Sequence, residues 1–164
     1  MKAIKPNVIG NKIKKGKDSY WPGENWLDVT NPDLQELMKK RIDVLAENGC
    51  DGIDPDNTDG YLKEEGSSED KTGFNLTHDD LVNYLKTLAK YAHSKGLSMG
   101  LKNSIEIAPR LVNATQWVVN EECAQWDADC KGLRVFIEAD KPVFRVVSSP
   151  TPPITGTHSV TEGL

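Results

Sequence analysis

Three histidines and three cysteines in 164 residues leave little material for metal or thiol chemistry. No two histidines have the spacing that grips a zinc ion, no Ser, His and Asp follow one another in a hydrolytic order, and no glycine-rich loop opens a helix to cradle phosphate. Apolar runs are short as well. None reaches the length that spans a bilayer, and residues 1–15 lack the continuous apolar segment of a signal peptide. Positive charge is not in excess: a formal net charge of −5 turns the chain away from nucleic acid and toward neutral or cationic partners. Cys123 and Cys130 are close enough in sequence to bridge across a loop, which leaves Cys50 alone, so an oxidising compartment is permitted without being demanded.

What remains is enough for one domain with a real core. Residues 1–20 are lysine-rich with little periodicity and read as an irregular basic lead-in. From Ser148 onward, Ser, Pro, Thr and Gly dominate and no apolar period survives, which predicts a disordered tail over 148–164. Between them, over 21–147, strands and helices alternate. A short strand over 26–29 carries Asp28 at its carboxyl end. Asn31 caps a helix with Pro32 at its first position, and Leu34, Leu37, Met38, Ile42 and Leu45 recur at helical spacing up to Gly49. A strand at Ile53 follows, then a loop over 62–73. Thr77 with Asp80 resembles a capping box, and Leu81, Tyr84, Leu85, Leu88 and Tyr91 give the next helix one apolar face as far as Gly96. His93, in its polar last turn, reads as structural. Strands over 97–103, 116–122 and 142–147 alternate with short helices over 105–114, interrupted early by Pro109, and 133–139. Such alternation predicts an α/β fold with about five parallel strands.

Four aspartates and an asparagine crowd between Asp51 and Asp59. Three readings compete for them. One is a solvated acidic turn. A calcium loop is the second, but with Gly60 at the loop's glycine position the first and last ligands would be Pro55 and Gly66, neither a carboxylate. The third is a catalytic rim at the carboxyl end of a strand, where Asp54 and Asp56, two apart, point to one side. The other strands end in polar groups too: Asp28, then Lys102 with Asn103, then Glu121 with Glu122. In a parallel arrangement those ends share one face and converge on one cleft. Two opposed carboxyl groups there suit cleavage of a glycosidic bond, one protonating the leaving oxygen and the other attacking the sugar or activating water. Lys102 would hold a neighbouring aspartate ionised. Trp21, Trp26, Trp117, Trp126 and Tyr61 offer rings either for sugar stacking or for buried packing. A metal-dependent carboxylate enzyme is a further reading, disfavoured by the scarcity of histidine.

In order and spacing, WPGENWLDV (21–29), GCDGIDPDNTDGY (49–61), the run from GFNLTHDD to GLKN (73–103), WVVNEEC (117–123) and FIEADKPVF (136–144) resemble glycoside hydrolase family 114, the endo-α-1,4-polygalactosaminidases. The resemblance covers roughly residues 20–147. It implies a (β/α)8 TIM barrel that cuts α-1,4-linked galactosamine polymers without metal or organic cofactor. It implies Asp56 of DPDN and Glu121 of NEEC as the catalytic carboxylates, with Asp54 as a supporting acid and substrate ligand. Asp28, Asn57, Tyr61, Lys102 and Asn103 would bind substrate beside them. The family's barrel has about three further βα units before the WLDV strand, and a closed barrel needs about 250 residues. The expectation is therefore a partial barrel with the first three units missing, an exposed inner face, and open edges through which chains could associate. Secretion is implied by the resemblance, and the sequons at Asn75 and Asn113 agree with it, although this chain shows no signal peptide. The alternative is a truncated, inactive fragment with at most weak carbohydrate binding.

Overall fold

The structure, a computed structural model, describes residues 6–16, 19–63, 68–121 and 131–146. The expected tail over 148–164, the Cys123–Cys130 bridge, Glu122 and Trp126 lie outside them. Among the described residues, no helix is long and apolar enough to cross a membrane.

After a single 3-10 turn, Pro6–Val8, strand β1 (Ile9–Gly16) pairs antiparallel with β2 (Ser19–Leu27). Two expectations are corrected here. Residues 9–16 are a strand, not an irregular lead-in, and the segment at Trp26 and Leu27 pairs with β1 instead of joining the parallel sheet. The period-two signal in β1 is masked by Gly10 and Asn11, which are small and polar for structural reasons. A Cβ on Gly10 would meet the Thr72 carbonyl oxygen at 2.1 Å and the Phe74 ring at 2.5 Å. Asn11 N–H donates to that same carbonyl at 2.9 Å, and Asn25 Nδ2 donates to the Gly10 carbonyl at 2.9 Å. The hairpin is thereby fastened to the loop ahead of the second helix.

Helix α1 (Pro32–Glu47) begins as its sequence dictates: the Asn31 side chain accepts from Asp33 N–H at 2.9 Å, and Pro32 occupies the first turn, where its missing N–H costs nothing. Leu34 and Ile42 are buried, while Leu45 is left exposed. Helix α2 (His78–Ser94) starts on the predicted capping box. Asp80 N–H donates to Thr77 Oγ1 at 3.2 Å, and Thr77 N–H donates to Asp80 Oδ2 at 2.9 Å. Leu81, Val82, Leu85, Leu88, Ala89 and Ala92 form its buried face, and the helix stops at Gly96 with φ +78°.

Strands β3 (Gly52–Ile53), β4 (Ser98–Lys102), β5 (Trp117–Glu121) and β6 (Val143–Val146) form a parallel sheet in that order. It has four strands instead of the expected five because β2 is spent on the hairpin. A 3-10 turn (Ile105–Ile107) leads into helix α3 (Ala108–Leu111), where Pro109 starts the helix instead of interrupting one, and α4 (Arg134–Glu138) precedes β6. Pairing places Met99, Leu101 and Val118 on the face packed by Leu85, Ile107, Leu111, Leu133 and Phe136, all essentially buried. The opposite face carries Gly52, Gly100, Lys102, Trp117, Val119 and Glu121, and ends in Phe144 and Val146, which are 52% and 45% exposed. One face is thus covered by helices, and the other is open at β6. His93 Nε2 meets Gln116 Oε1 at 2.9 Å, in keeping with its structural reading.

Replacing Thr77 with Ala removes the reciprocal cap of α2 and should cost about 1 kcal/mol, read as a lower urea midpoint at unchanged slope. Thr77→Ser should keep most of that stability.

Candidate active site

The open face becomes chemical at the carboxyl ends of its strands. Asp54 directly follows β3, whose Ile53 is level with Met99, and Asp56 comes two residues later. Lys102 stands opposite Val119, one pleat short of Glu121 on the same face. A four-carbon stem covers that offset. Lys102 Nζ donates to Asp56 Oδ1 at 3.1 Å and to Glu121 Oε2 at 3.1 Å. The ammonium is the sheltered member of this triad: its side chain is 14% exposed, against 64% for Asp56 and 45% for Glu121. Burial alone would lower the Lys102 pKa, but the hydrogen bonds and charges of Asp56 and Glu121 outweigh it and raise the value above the ordinary lysine range. The two facing carboxylate oxygens stand no farther apart than twice the bond length to Lys102, about 6 Å.

These groups line a cavity of about 350 Å³ together with Asn57, Thr58, Asp59 and Asn103, and with Trp21 and Glu24 from the hairpin. Its frame is made by hydrogen bonds between strand ends. Asn103 N–H extends the ladder to the Val119 carbonyl at 2.8 Å, and its side-chain Oδ1 accepts from Glu121 N–H at 2.8 Å. Asn103 thereby fixes the backbone from which Glu121 projects. Thr58 Oγ1 donates to the Lys102 carbonyl at 2.9 Å and lies 2.7 Å from Ser104 Oγ, so the acidic loop after β3 is tied to the end of β4. Asn57, Asn103 and Ser104 all have φ between +51° and +54°, a conformation that costs energy for any residue with a side chain and least for asparagine.

Asp54 borders the neighbouring, larger groove of about 890 Å³ between the hairpin, α1 and β3. The floor beside it is made possible by glycine. A Cβ on Gly100 would lie 2.2 Å from Trp117 Nε1 and 2.7 Å from Asp54 Oδ1, and one on Gly52 would lie 2.7 Å from Trp117 Cη2. The indole therefore lies across both glycines with Asp54 next to it. Burial raises the Asp54 pKa above the ordinary carboxylate range; the Lys102 charge pulls it down, and the Asp56 charge pushes it up.

Of the residues singled out in the sequence, Asp56, Asn57, Lys102, Asn103 and Glu121 line the same cavity, with Asp54 adjoining. Two expected substrate ligands are corrected. Asp28 borders neither cavity; its Oδ1 accepts from Thr30 N–H at 3.0 Å and from Thr30 Oγ1 at 2.6 Å, closing the turn before α1. Tyr61 is buried, stacks on His78 at 4.3 Å and donates from its hydroxyl to Glu106 Oε2 at 2.8 Å. Burial raises its pKa, as does the Glu106 bond. Trp26 is likewise core, with the Lys71 ammonium 4.8 Å from its ring. Sequence reasoning passed over Glu24, Thr58 and Ser104, because no spacing rule links the hairpin to the acidic loop or that loop to the end of β4. Among the described residues, no group of three or more His, Cys, Asp or Glu side chains is placed to hold a metal ion, and Cys50 is free and exposed.

A carboxyl pKa raised by folding favours the native state below the unfolded value of about 3.9, and that contribution is lost as pH rises through the folded value. Stability should therefore fall with rising pH over that window, and Asp54→Asn should flatten the fall in urea titrations. Lys102→Met removes the charge that lowers it, so the Asp54 carboxyl followed by carbon-13 NMR should titrate at still higher pH.

The chain is similar to the crystal structure of Aspergillus fumigatus Ega3 in complex with galactosamine, at 35% identity and a TM-score of 0.79, over 96% of this chain and 58% of that one. It also shares its fold with the glycoside hydrolase domain of PelA from Pseudomonas aeruginosa, at 17% identity and a TM-score of 0.59, over 82% of this chain and 55% of that domain's chain. The chain thus spans little more than half the length of these solved structures. No curated protein matches it. The model of glycoside-hydrolase family GH114 matches residues 1–147, and the chain belongs to that family.

Proposed function

We propose that this chain is a glycosidase that cleaves α-1,4-linked galactosamine polymers between Asp56 and Glu121. The observation that carries this reading is the Lys102 ammonium, bonded at 3.1 Å to both carboxylates, which gathers acidic groups from β3 and β5 at one mouth. The family and the galactosamine-bound neighbour support the substrate class. The finer architecture belongs to the same proposal. Parallel β3 to β6, with their chemistry at the carboxyl ends, read as a section of a (β/α)8 barrel.

In this mechanism Asp56 is the ionised nucleophile. Its oxygen bonds to the anomeric carbon as the glycosidic C–O bond breaks, and Glu121 delivers its proton to the departing sugar oxygen. Glu121 then takes a proton from water, whose oxygen displaces Asp56 from the sugar. Asp54 stands beside the pair as a supporting acid, its pKa raised by burial. Carboxyl groups about 5–5.5 Å apart would suit this double displacement, and a gap of roughly 6.5–9.5 Å would admit a water between them for single displacement. A second reading, sugar binding without turnover, is favoured by one observation: the sheet face leading to the site is uncovered at Phe144 and Val146. A loosely held site loses catalysis before it loses binding.

A reducing-end assay on polymeric galactosamine separates the two readings. Asp56→Asn and Glu121→Gln should each lower the rate by about a hundredfold or more, and equal rates in both variants and wild type would refute the pair. NMR of the first product should show the α anomer. Initial release of the β anomer would replace double displacement with single displacement.

A further inference from the structure

The hairpin carries a feature that the catalytic reading does not use. Along β1 the paired residues advance from Lys12 to Lys14, past Ile13 alone. Along β2 their partners run from Asn25 back to Tyr20, past Trp21, Pro22, Gly23 and Glu24. Four residues on one strand therefore stand against one on the other, so the segment leaves the ladder as a wide bulge. Its chemistry makes that stable. Pro22 has no N–H for a ladder to satisfy, and Gly23 takes φ +78° with open space around it. Bulges re-aim side chains, and both ends of this one are turned toward the cleft: Trp21 and Glu24 line the cavity that holds Asp56, Lys102 and Glu121. Trp21 is 44% exposed, which leaves indole surface free for contact, and the Lys15 ammonium, 4.6 Å from its centroid, steadies the ring.

We propose that the Trp21–Glu24 bulge is a subsite for a neighbouring amino-sugar residue of the polymer, whose apolar ring face stacks on Trp21 and whose ammonium pairs with Glu24. This rests on the glycosidase reading for its ligand, and it adds that affinity grows with chain length through the hairpin. The indole is a flat apolar platform beside an anion, and a protonated amino sugar presents the complementary pair of surfaces.

Binding of galactosamine monosaccharide and of α-1,4-linked galactosamine oligomers to the full chain, by calorimetry, tests it independently of turnover. Trp21→Ala should weaken oligomer binding about tenfold and monosaccharide binding less than about twofold. Trp21→Phe should recover most of the difference. Glu24→Gln should weaken the oligomer at low salt and less at high salt. Tyr20→Ala, on the same hairpin but outside the cavity, should change nothing and guards against a folding artefact. Equal losses for monomer and oligomer in Trp21→Ala, no loss for either, or wild-type protein that binds oligomers no better than monomer would each overturn the subsite. Absence of any cleavage by wild type, with chain-length-dependent binding intact, would instead overturn the glycosidase reading and leave the subsite standing.

Discussion

A single ammonium between two carboxylates is the constraint on which the mouth of this sheet depends. Coulomb energy falls as the inverse of distance, so each attraction at 3.1 Å is at most about twice the repulsion between oxygens no more than about 6 Å apart, and there are two attractions to one repulsion. With one dielectric for all three, attraction outweighs repulsion by at most about four to one, and by about two to one even were the two oxygens as close to each other as each is to Lys102. Solvent screening at the exposed carboxylates shrinks every contribution, while the shelter of Lys102 preserves its share. Without the cation the two ionised carboxylates would repel with nothing between them, and its bond to Glu121 must yield before that group carries the proton it donates. Lys102 can serve both because it sits on the strand between theirs, one pleat behind Glu121.

The backbone around that cation is held at a cost. Ser104 is buried in the left-handed region with its side chain against Thr58, and Asn103 and Asn57 are in the same region on either side. Such conformations persist only where surrounding bonds over-determine them. Here they do: Asn103 bonds to β5 twice, and Thr58 bonds to the Lys102 carbonyl.

Most of the sheet and its helices was legible because their signals are local. Asn31 with Pro32, and Thr77 with Asp80, announce helix starts that hydrogen bonds then realise. Met99, Leu101 and Val118 alternate with residues of the open face as a parallel strand must. The central site residues were legible for a related reason: a parallel sheet brings its carboxyl ends to one face, so Asp56, Lys102 and Glu121 could be grouped without knowing any distance. The misplaced residues are those whose side chains are taken by partners that no periodicity announces. Asp28 looks like a strand-end ligand, but Thr30, two residues on, takes its carboxylate. Tyr61 looks like a sugar platform, yet Glu106, 45 positions away, draws its hydroxyl inward. Strand β1 was hidden because Gly10 and Asn11 are chosen for contact with Thr72, and hydrophobic period says nothing about such contact.

The two faces of the sheet divide the labour between stability and chemistry. On the helix side, Met99, Leu101, Val118, Leu85 and Phe136 are sealed almost completely, so the strands are held in place from behind. That frees the other face from contributing much packing, and it is the face on which glycine is tolerated. Gly52 and Gly100 would each weaken a strand that relied on its own side chains, yet here their missing Cβ atoms make the slot that seats Trp117 beside Asp54. The same logic extends to the hairpin. Fastened through Gly10, Asn11 and Asn25, it can spare four residues of β2 from pairing and direct the ends of that bulge at the cleft. Stability is concentrated on one side of the strands, and residues that would be liabilities there become the walls of the site on the other.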